Sequence, residues 1–446
     1  MTALIASLHA FLDELARLES MTRMFLQVFP YFMLFELPLN LLVMAGVLRW
    51  ITRKSIGAPE IRLYRPRVSC IITCYSEGVD VHKTLTSLAE QIYPGQIEMI
   101  PVIDGAAVNQ ATLNAVRNFH LDRQRYPNRF LRPIAKWQRG GRVSSLNAGL
   151  ANARGEIIMA LDGDTSFDNN MVSAMVRHFA DPDVPAVAGS LRVRNAKTSL
   201  ITSLQALEYL LSIHMSKIGL AEWNVVNNVS GAFGAFRRSF LDLIGGWDTH
   251  TAEDLDLTLR IKNYFTRSSL RIPFEPEAIG HTDAPVTLRQ FLKQRLRWDG
   301  DLFFLYMRKH KHSITPRLLG WPNFLMTLWS GFFFQIVLPF IITGYWIIAA
   351  ATLSWQGLLL LFCLIYALYF ALATMLFVFM LLLVSERQRS DSRLALVLPV
   401  FPLFMMMVRS WSAVAVLNDA LRRGHEETSM APWWVLKRAV KFRFRV

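Results

Sequence analysis

The chain has little cysteine: three residues, Cys70, Cys74 and Cys363, in 446. None stands at a metal-ligand spacing from another, which leaves neither a thiolate metal site nor a disulfide framework. Also missing are a G-x-G-x-x-G at the first predicted helix and any G-x-x-x-x-G-K-[ST], so both glycine-rich phosphate cradles are excluded. A phosphorylated ligand must then be held by side chains or by a metal. The first twenty residues lack the apolar core of a cleaved leader, because Asp13 and Glu14 interrupt it. Met1–Ser20 reads instead as a short amphipathic helix on a membrane surface. Acidic residues are few, 34 against 48 Lys and Arg. The basic residues flank apolar runs and form no stripe interleaved with aromatics, which excludes nucleic acid as the partner.

What is present is apolar: 52% of the residues, gathered in Met24–Trp50, Asn323–Ala350, Leu358–Val384 and Leu394–Leu417. Each run is long enough to cross a ~30 Å hydrocarbon core, which needs about 20 residues. Between them Ser55–Trp321 carries charge throughout and reads as a soluble α/β domain. The expected organisation is a first segment and span over residues 1–54, a catalytic-type domain over 55–320, further spans over 321–420 and a basic tail over 421–446. Arg49, Arg53 and Lys54, then Arg387, Arg389 and Arg393, then the tail, mark the cytoplasmic side by the positive-inside rule. The expected location is therefore a cytoplasmic membrane, crossed several times, with the soluble domain inside. Parity leaves two readings open. Either Leu394–Leu417, with Pro399, Pro402 and Arg409, is a broken or re-entrant segment, or Met24–Trp50, with Pro30, Glu36 and Pro38, is itself irregular.

Val68–Cys74 is a short β-branched run, as in a buried parallel strand, and a helix is predicted from about Val79 to Gln91. Glu98–Ile103 and Ile157–Leu161 read as further strands, with a helix over Ser144–Ala153. The repeat of strand, helix, strand and acidic turn predicts a doubly wound sheet. Ligands bind beyond the carboxyl ends of such strands. Glu77, Asp104, Asp162 and Asp164 all fall there.

Asp162-Gly163-Asp164 puts two carboxylates on one tight turn, the hard oxygen donors that a divalent ion shares with a diphosphate. Asp254, supported by Glu253, is placed to take a proton from an acceptor hydroxyl, although the same residues could simply cap a helix. With a metal to neutralise a nucleoside diphosphate leaving group, one base on the opposite face suffices, and single displacement with inversion follows. Gln294-Arg295-Leu296-Arg297-Trp298 lies in Thr287–His312, a basic amphipathic stretch that reads as an interfacial helix. Arg297 and Trp298 sit three and four residues after Gln294, so the three share a face. Arg297 suits phosphate oxygens and Trp298 the apolar face of a sugar, whereas an Arg–Trp pair anchoring a helix at headgroup level is the plainer alternative.

In this order the motifs resemble the processive, inverting family 2 glycosyltransferases, among them the cellulose, chitin, hyaluronan and poly-N-acetylglucosamine synthases. The resemblance runs from about Arg67 to Trp298 and through the following membrane segments, and the compact size is most similar to the poly-β-1,6-N-acetylglucosamine type. It implies a GT-A domain between transmembrane helices, a UDP-sugar donor such as UDP-N-acetylglucosamine, Mg²⁺ or Mn²⁺, a growing polysaccharide acceptor and a lipid bilayer, and it leaves room for a small membrane partner subunit. It implies that Thr73, Tyr75, Glu77 and Asp104 meet the nucleoside, that Asp162 and Asp164 are the D-x-D, with Asp164 on the metal, and that Asp254 is the base. Gln294 and Arg297 close over the diphosphate, while Trp298 stacks on the acceptor beside Ser230-Gly231-Ala232. The sequence departs from the pattern at Ser76 (usually Asn), Gly105 (a second Asp), Arg142 (Lys) and Ala252 (Thr). These bear on the donor sugar more than on the reaction.

Overall fold

The computed structural model describes residues 32–56 and 64–422. The amphipathic reading of residues 1–20, the start of the first apolar run and the basic tail lie outside the described residues. Nine strands form one mixed sheet: β1 (Val68–Cys74), β2 (Ile97–Asp104), β3 (Arg129–Leu131), β4 (Ile134–Lys136), β5 (Ile157–Asp162), β6 (Ser166–Phe167), β7 (Ala186–Val193), β8 (Phe233–Arg237) and β9 (Phe274–Thr282). Their order is β3-β2-β1-β5-β8-β7-β9-β6, with β4 also on β2.

The predicted strands are found within a residue or two of their expected ends, because each is mostly apolar and buried along its length on both faces. The doubly wound reading holds for β2-β1-β5, which are parallel. Beyond β5 it needs correction, since β8 pairs antiparallel with both β5 and β7. Register places Thr73 of β1 opposite Asp162 of β5 and Cys74 opposite Ile103 of β2. The carboxyl ends of three strands thus open on one crevice, where the chain order reverses about β1.

The helices used below are α1 (Phe32–Ile56), α2 (Val81–Ala89), α3 (Gly141–Asn152), α4 (Leu200–Tyr209), α5 (Ser216–Glu222), α6 (Glu253–Lys262), α7 (Leu288–Phe303), α8 (Trp321–Thr352), α9 (Trp355–Leu383) and α10 (Phe401–Arg422). Of these, α1, α8, α9 and α10 are long and apolar enough to cross a membrane. The prolines of α1 and α10 do not break them. Pro402 sits in the first turn of α10 and Pro399 precedes it, positions where no backbone donor is lost, while Pro38 follows the π-helical turn Phe32–Glu36 that opens α1.

Two of the four lie along helices of the soluble domain, and α8 touches it through Asn323 and Ser330, which donate to Asn224 and Asn227. Backbone meets backbone where α1 crosses α5: a Cβ added at Gly46 would stand 2.2 Å from the Gly219 oxygen, and one at Gly219 2.3 Å from the Val43 oxygen. Trp223 Nε1 donates to the Leu42 carbonyl at 3.0 Å, and Arg53 pairs with Glu222. Gly219→Val should therefore cost about 1–3 kcal/mol by forcing this crossing apart. Thermal unfolding of the detergent-solubilised protein checks it, an unchanged melting temperature being the contrary result. The last helix, α10, runs alongside α7: Phe404 packs on Phe291, Trp411 Nε1 donates to the Leu292 carbonyl, and Ser412 donates to Asp299. At its far end Arg308 donates to the Ala420 carbonyl. Both ends of α10 therefore lie against the same domain.

Candidate active site

The crevice at the ends of β1, β2 and β5 collects the acids. Ser76 adopts the left-handed conformation, φ 73°, that an Asn would take more readily, and this turn carries Tyr75 and Glu77 out of β1. The Tyr75 ring is half exposed, and the Arg139 guanidinium lies 4.3 Å from its centroid, a flat open platform suited to a nucleobase. Glu77 turns inward against Gly163, where an added Cβ would lie 3.1 Å from the Glu77 carboxyl carbon and 3.0 Å from the Thr73 oxygen. This close approach favours glycine between the two aspartates, since a Cβ there would press on both neighbours.

Asp104 lies deeper than expected for a direct nucleoside contact. It is buried, its Oδ1 accepting from Lys136 Nζ at 2.7 Å and the Gly140 N–H at 2.8 Å, and its Oδ2 from the Gly141 N–H at 2.8 Å. Its visible work is to fix the start of α3, and through it Arg142. Sequence reading noted Arg142 as a departure and assigned it nothing, yet it sits at the centre of the site. One nitrogen pairs with Asp162 and donates to Thr73 Oγ1 at 2.9 Å. Nε bonds Glu253 Oε1, and the remaining nitrogen bonds the Gly231 carbonyl. A Lys could make only part of this fork. The usable signal was the Gly140-Gly141 pair, which marks a backbone bend directly before a cation.

Asp162, Asp164 and Glu77 carry more negative charge than Arg142 alone offsets. Burial raises Asp164, with Asp162 adding to the effect, and its carboxylate meets the Thr165 hydroxyl at 3.4 Å. Burial pushes Glu77 up to about 7, the Asp164 and Asp162 charges contributing, and its buried Oε2 has no hydrogen-bond partner. Among the described residues no three His, Cys, Asp or Glu side chains converge as a complete metal site. Two carboxylates and an orphaned acid oxygen nevertheless fit a hard divalent cation whose other ligands come from a diphosphate.

Across the crevice Ala252 takes the left-handed conformation, φ 40°, and turns Glu253 and Asp254 into the cavity at the start of α6. Asp254 Oδ2 accepts from Asn228 Nδ2 at 2.9 Å and from the Gly231 N–H at 3.1 Å, while Oδ1 accepts from the Leu255 N–H at 2.8 Å. The carboxylate is thus oriented without an ion pair that would quench it. Burial raises Glu253, against the lowering effect of Arg142. Gly231 is tight here too: a Cβ would stand 2.9 Å from Glu253 Oε1. Two residues past the base, buried Asp256 binds His310 Nε2 at 2.8 Å, Lys309 Nζ at 2.6 Å and Arg260 Nε at 3.0 Å. Asp256 locks α6 to the turn following α7, a tie with no signal in the sequence.

The predicted interfacial helix is α7, capped by Thr287 and Gln290 and continued by a π-helical turn over Phe304–Lys309. Gln294, Arg297 and Trp298 face the same cavity as the acids. Gln294 Oε1 is buried without a partner, and Trp298 is 37% exposed. Between them Arg295, which had no expected role, pairs with Glu208 of α4 and places its guanidinium 5.2 Å from the Trp298 ring centroid. It braces the tryptophan from behind. One turn on, buried Asp301 is pushed up to about 7 by burial, with Asp419 and Glu253 adding.

That shift has a definite sign. Raised above its ordinary 3.8, Asp301 stabilises the fold while protonated and ceases to as pH rises through about 7. Asp301→Asn should accordingly flatten the fall in melting temperature between pH 5.5 and 8, removing on the order of 1–2 kcal/mol of it. Parallel melts of the two proteins decide the matter, and coincident curves would exclude the assignment.

A continuous cavity of about 1590 Å³ joins these parts. It runs from Asp162, Asp164 and Asp254, past Trp298, to Phe333, Leu338 and Ile341 of α8, Tyr369 and Leu376 of α9 and Arg409 of α10. All the expected site residues except Thr73, Tyr75, Glu77 and Asp104 line it, and those four lie at the adjoining strand ends.

Comparison with known proteins agrees. Two similar relatives are poly-beta-1,6-N-acetyl-D-glucosamine synthases, from Staphylococcus epidermidis strain RP62A (30% identical over 233 residues) and Staphylococcus aureus strain COL (31% over 235). Each match covers 52% of this chain and 53% of the relative, so the chain spans about half the length of the curated relatives it matches. A solved structure, the mannosyltransferase PcManGT from Pyrobaculum calidifontis in complex with GDP-Man and Mn²⁺, superposes with a TM-score of 0.54 at 19% identity. It covers 87% of this chain and 98% of that one, and at this identity it speaks for the GT-A fold alone. Residues 66–300, from the first strand through the Q-x-x-R-W helix, match the family described as glycosyltransferase like family 2, and the chain belongs to that family of enzymes.

Proposed function

We propose that this chain is a membrane-embedded, processive and inverting glycosyltransferase that polymerises a UDP-sugar, with UDP-N-acetylglucosamine the favoured donor, and passes the growing polysaccharide across the membrane. The observation that carries this is the single cavity linking the carboxylate crevice to helices α8 and α9, with Trp298 at the junction. An enzyme that released each product to water would have no use for it. In this reading the base of the donor rests at Tyr75 and the diphosphate near Asp162, Asp164 and Arg297. Mg²⁺ or Mn²⁺ held by Asp164 and Asp162 supplies charge neutralisation at the leaving diphosphate. Asp254 takes the proton from the acceptor hydroxyl, and Trp298 stacks under the acceptor sugar. Arg142 keeps Glu253 and Asp162 apart yet paired, so two buried acids stay in place with no substrate bound.

The placement of α10 supports a tail on the catalytic side. The neighbouring α7 is too charged to cross a bilayer, and a helix lying along it with both ends on the domain rests at the membrane surface. Together, α8 and α9 make an out-and-back pair. This favours a last apolar run that does not cross the bilayer, although as an unbroken surface helix and not as the broken or re-entrant segment expected. The catalytic domain and the tail are then both cytoplasmic.

The deep part of the cavity is walled by Phe334, Leu338, Ile341, Ile342 and Leu376. That apolar lining favours a second reading, transfer of one sugar to a polyprenyl phosphate. Incubating purified protein in vesicles with labelled UDP-sugars and Mg²⁺ or Mn²⁺ separates the two. A water-insoluble or high-molecular-mass polymer from UDP-N-acetylglucosamine is the expected product, and a single chloroform-soluble adduct would overturn processive synthesis.

A further inference from the structure

Glu208 of α4 lines the cavity, is 8% exposed and has no part in the reaction described above. Its carboxylate is the partner of Arg295, whose Nη2 donates to both oxygens, at 2.7 and 2.5 Å. A buried pair of charges repays its desolvation poorly as a source of stability. What this pair fixes is the guanidinium. It lies 5.1 Å from the Phe291 ring centroid and 5.2 Å from that of Trp298, the aromatics four residues before and three after it on α7. Arg295 thus meets both rings at once, and Phe291 rests in turn on Phe404 of α10.

The rest of α4 is tied to the same helix. At its start Ser199 Oγ donates to the Val286 carbonyl at 2.8 Å, and along it buried Gln205 donates from Nε2 to the Pro285 carbonyl at 2.9 Å. Both carbonyls lie directly before Thr287, the cap of α7. Helix α4 therefore holds α7 at its entrance and again, through Glu208, two turns along. We propose that Glu208 is a positioning residue: acting through Arg295, it fixes the Trp298 ring as the platform on which the growing chain is seated again after each transfer, and so sets how many sugars are added before release. This rests on the reading of Trp298 as the acceptor platform. Trp298 keeps 37% of its surface exposed, and a ring free to tilt in the cavity would offer a sugar no fixed plane. The bonds of Glu208 and Arg295 run to each other and to the rings, not to the strand ends where the donor is expected.

The test is product length, measured for the full-length wild type, Glu208→Gln, Arg295→Met and the double variant in vesicles with saturating labelled UDP-N-acetylglucosamine. Mean length should fall about 3- to 10-fold in each single variant, the effect of losing one cation–π contact or its anchor. UDP affinity by calorimetry should be unchanged. Because both residues act through one ring, the double variant should be no worse than either single one. Arg295→Lys keeps the charge but not the flat guanidinium that lies on the rings, and should recover part of the length. A purely structural role reads differently, since fewer folded molecules make fewer chains of wild-type length. That outcome, or a double variant whose losses multiply, overturns the proposal. Should Arg295→Met fold poorly, Glu208→Gln carries the same expectation. A wild type that yields only a single-sugar adduct, or a Trp298→Ala variant with unchanged length, fails the underlying reading instead, and neither result can come from the Glu208 variants.

Discussion

Asp254→Asn should lower transfer by about 10²–10⁴-fold, the range for removing a positioned general base, while leaving UDP affinity within a few-fold. The separation follows from the geometry. The oxygens of Asp254 are held by Asn228, Gly231 and Leu255, none of which is among the expected nucleotide or metal groups. An amide cannot satisfy all three donors at once. Its NH₂ must face either the Leu255 N–H or the Asn228–Gly231 pair, so a stability loss of about 1–3 kcal/mol accompanies the change. Rates are therefore to be compared at a temperature where both proteins are folded, with UDP titrated by calorimetry on the same samples. Collapse of UDP binding in step with turnover would make Asp254 a structural cap of α6, and the base would have to be sought elsewhere.

Much of this site was legible because its acids sit in contiguous motifs at strand ends. Asp162-Gly163-Asp164 follows an apolar run that could only be a strand, and the register then fixes where Thr73 falls. What was not legible depends on residues far apart in sequence. Arg142 is defined by Thr73, Asp162, Gly231 and Glu253, and no spacing rule joins those positions. Asp104 was read by its place at the end of β2, but strand position does not say whether a carboxylate faces ligand or backbone. Here the left-handed Gly141 (φ 80°) presents its N–H to it, and Asp104 becomes a support for α3. The membrane segments show a third kind of limit. Val43 and Val47 are as apolar as any lipid-facing residue, yet both are buried in the core that includes α5. Hydropathy gives a helix its length and not its neighbour, so the docking of α1 and α10 on the domain came only from the structure.

Arg142→Met should be the most damaging single change to the fold of the site. Removing one partner from a buried ionic cluster leaves the others uncompensated, at a cost of about 3–5 kcal/mol. Here two carboxylates, Asp162 and Glu253, lose the same cation, and the Gly231 carbonyl loses its donor. The pH dependence carries the signature. Burial already holds Glu253 above its ordinary 4.5, and Arg142 is the cation that opposes this. An acid raised in the folded state stabilises below its unfolded value and ceases to as pH rises through the folded one. The melting temperature of Arg142→Met should thus approach wild type at acid pH and fall away steadily above about 4.5. Arg142→Lys should recover part of the stability, since a single ammonium can meet one carboxylate but cannot span both. Melts of the three proteins from pH 4.5 to 8 are the measurement, and a pH-independent offset for Arg142→Met would show that the arginine is held by packing and not by the acids. Activity should follow the same order, because Asp162 and Glu253 stand on opposite sides of the cavity and Arg142 is the one described side chain that bonds both.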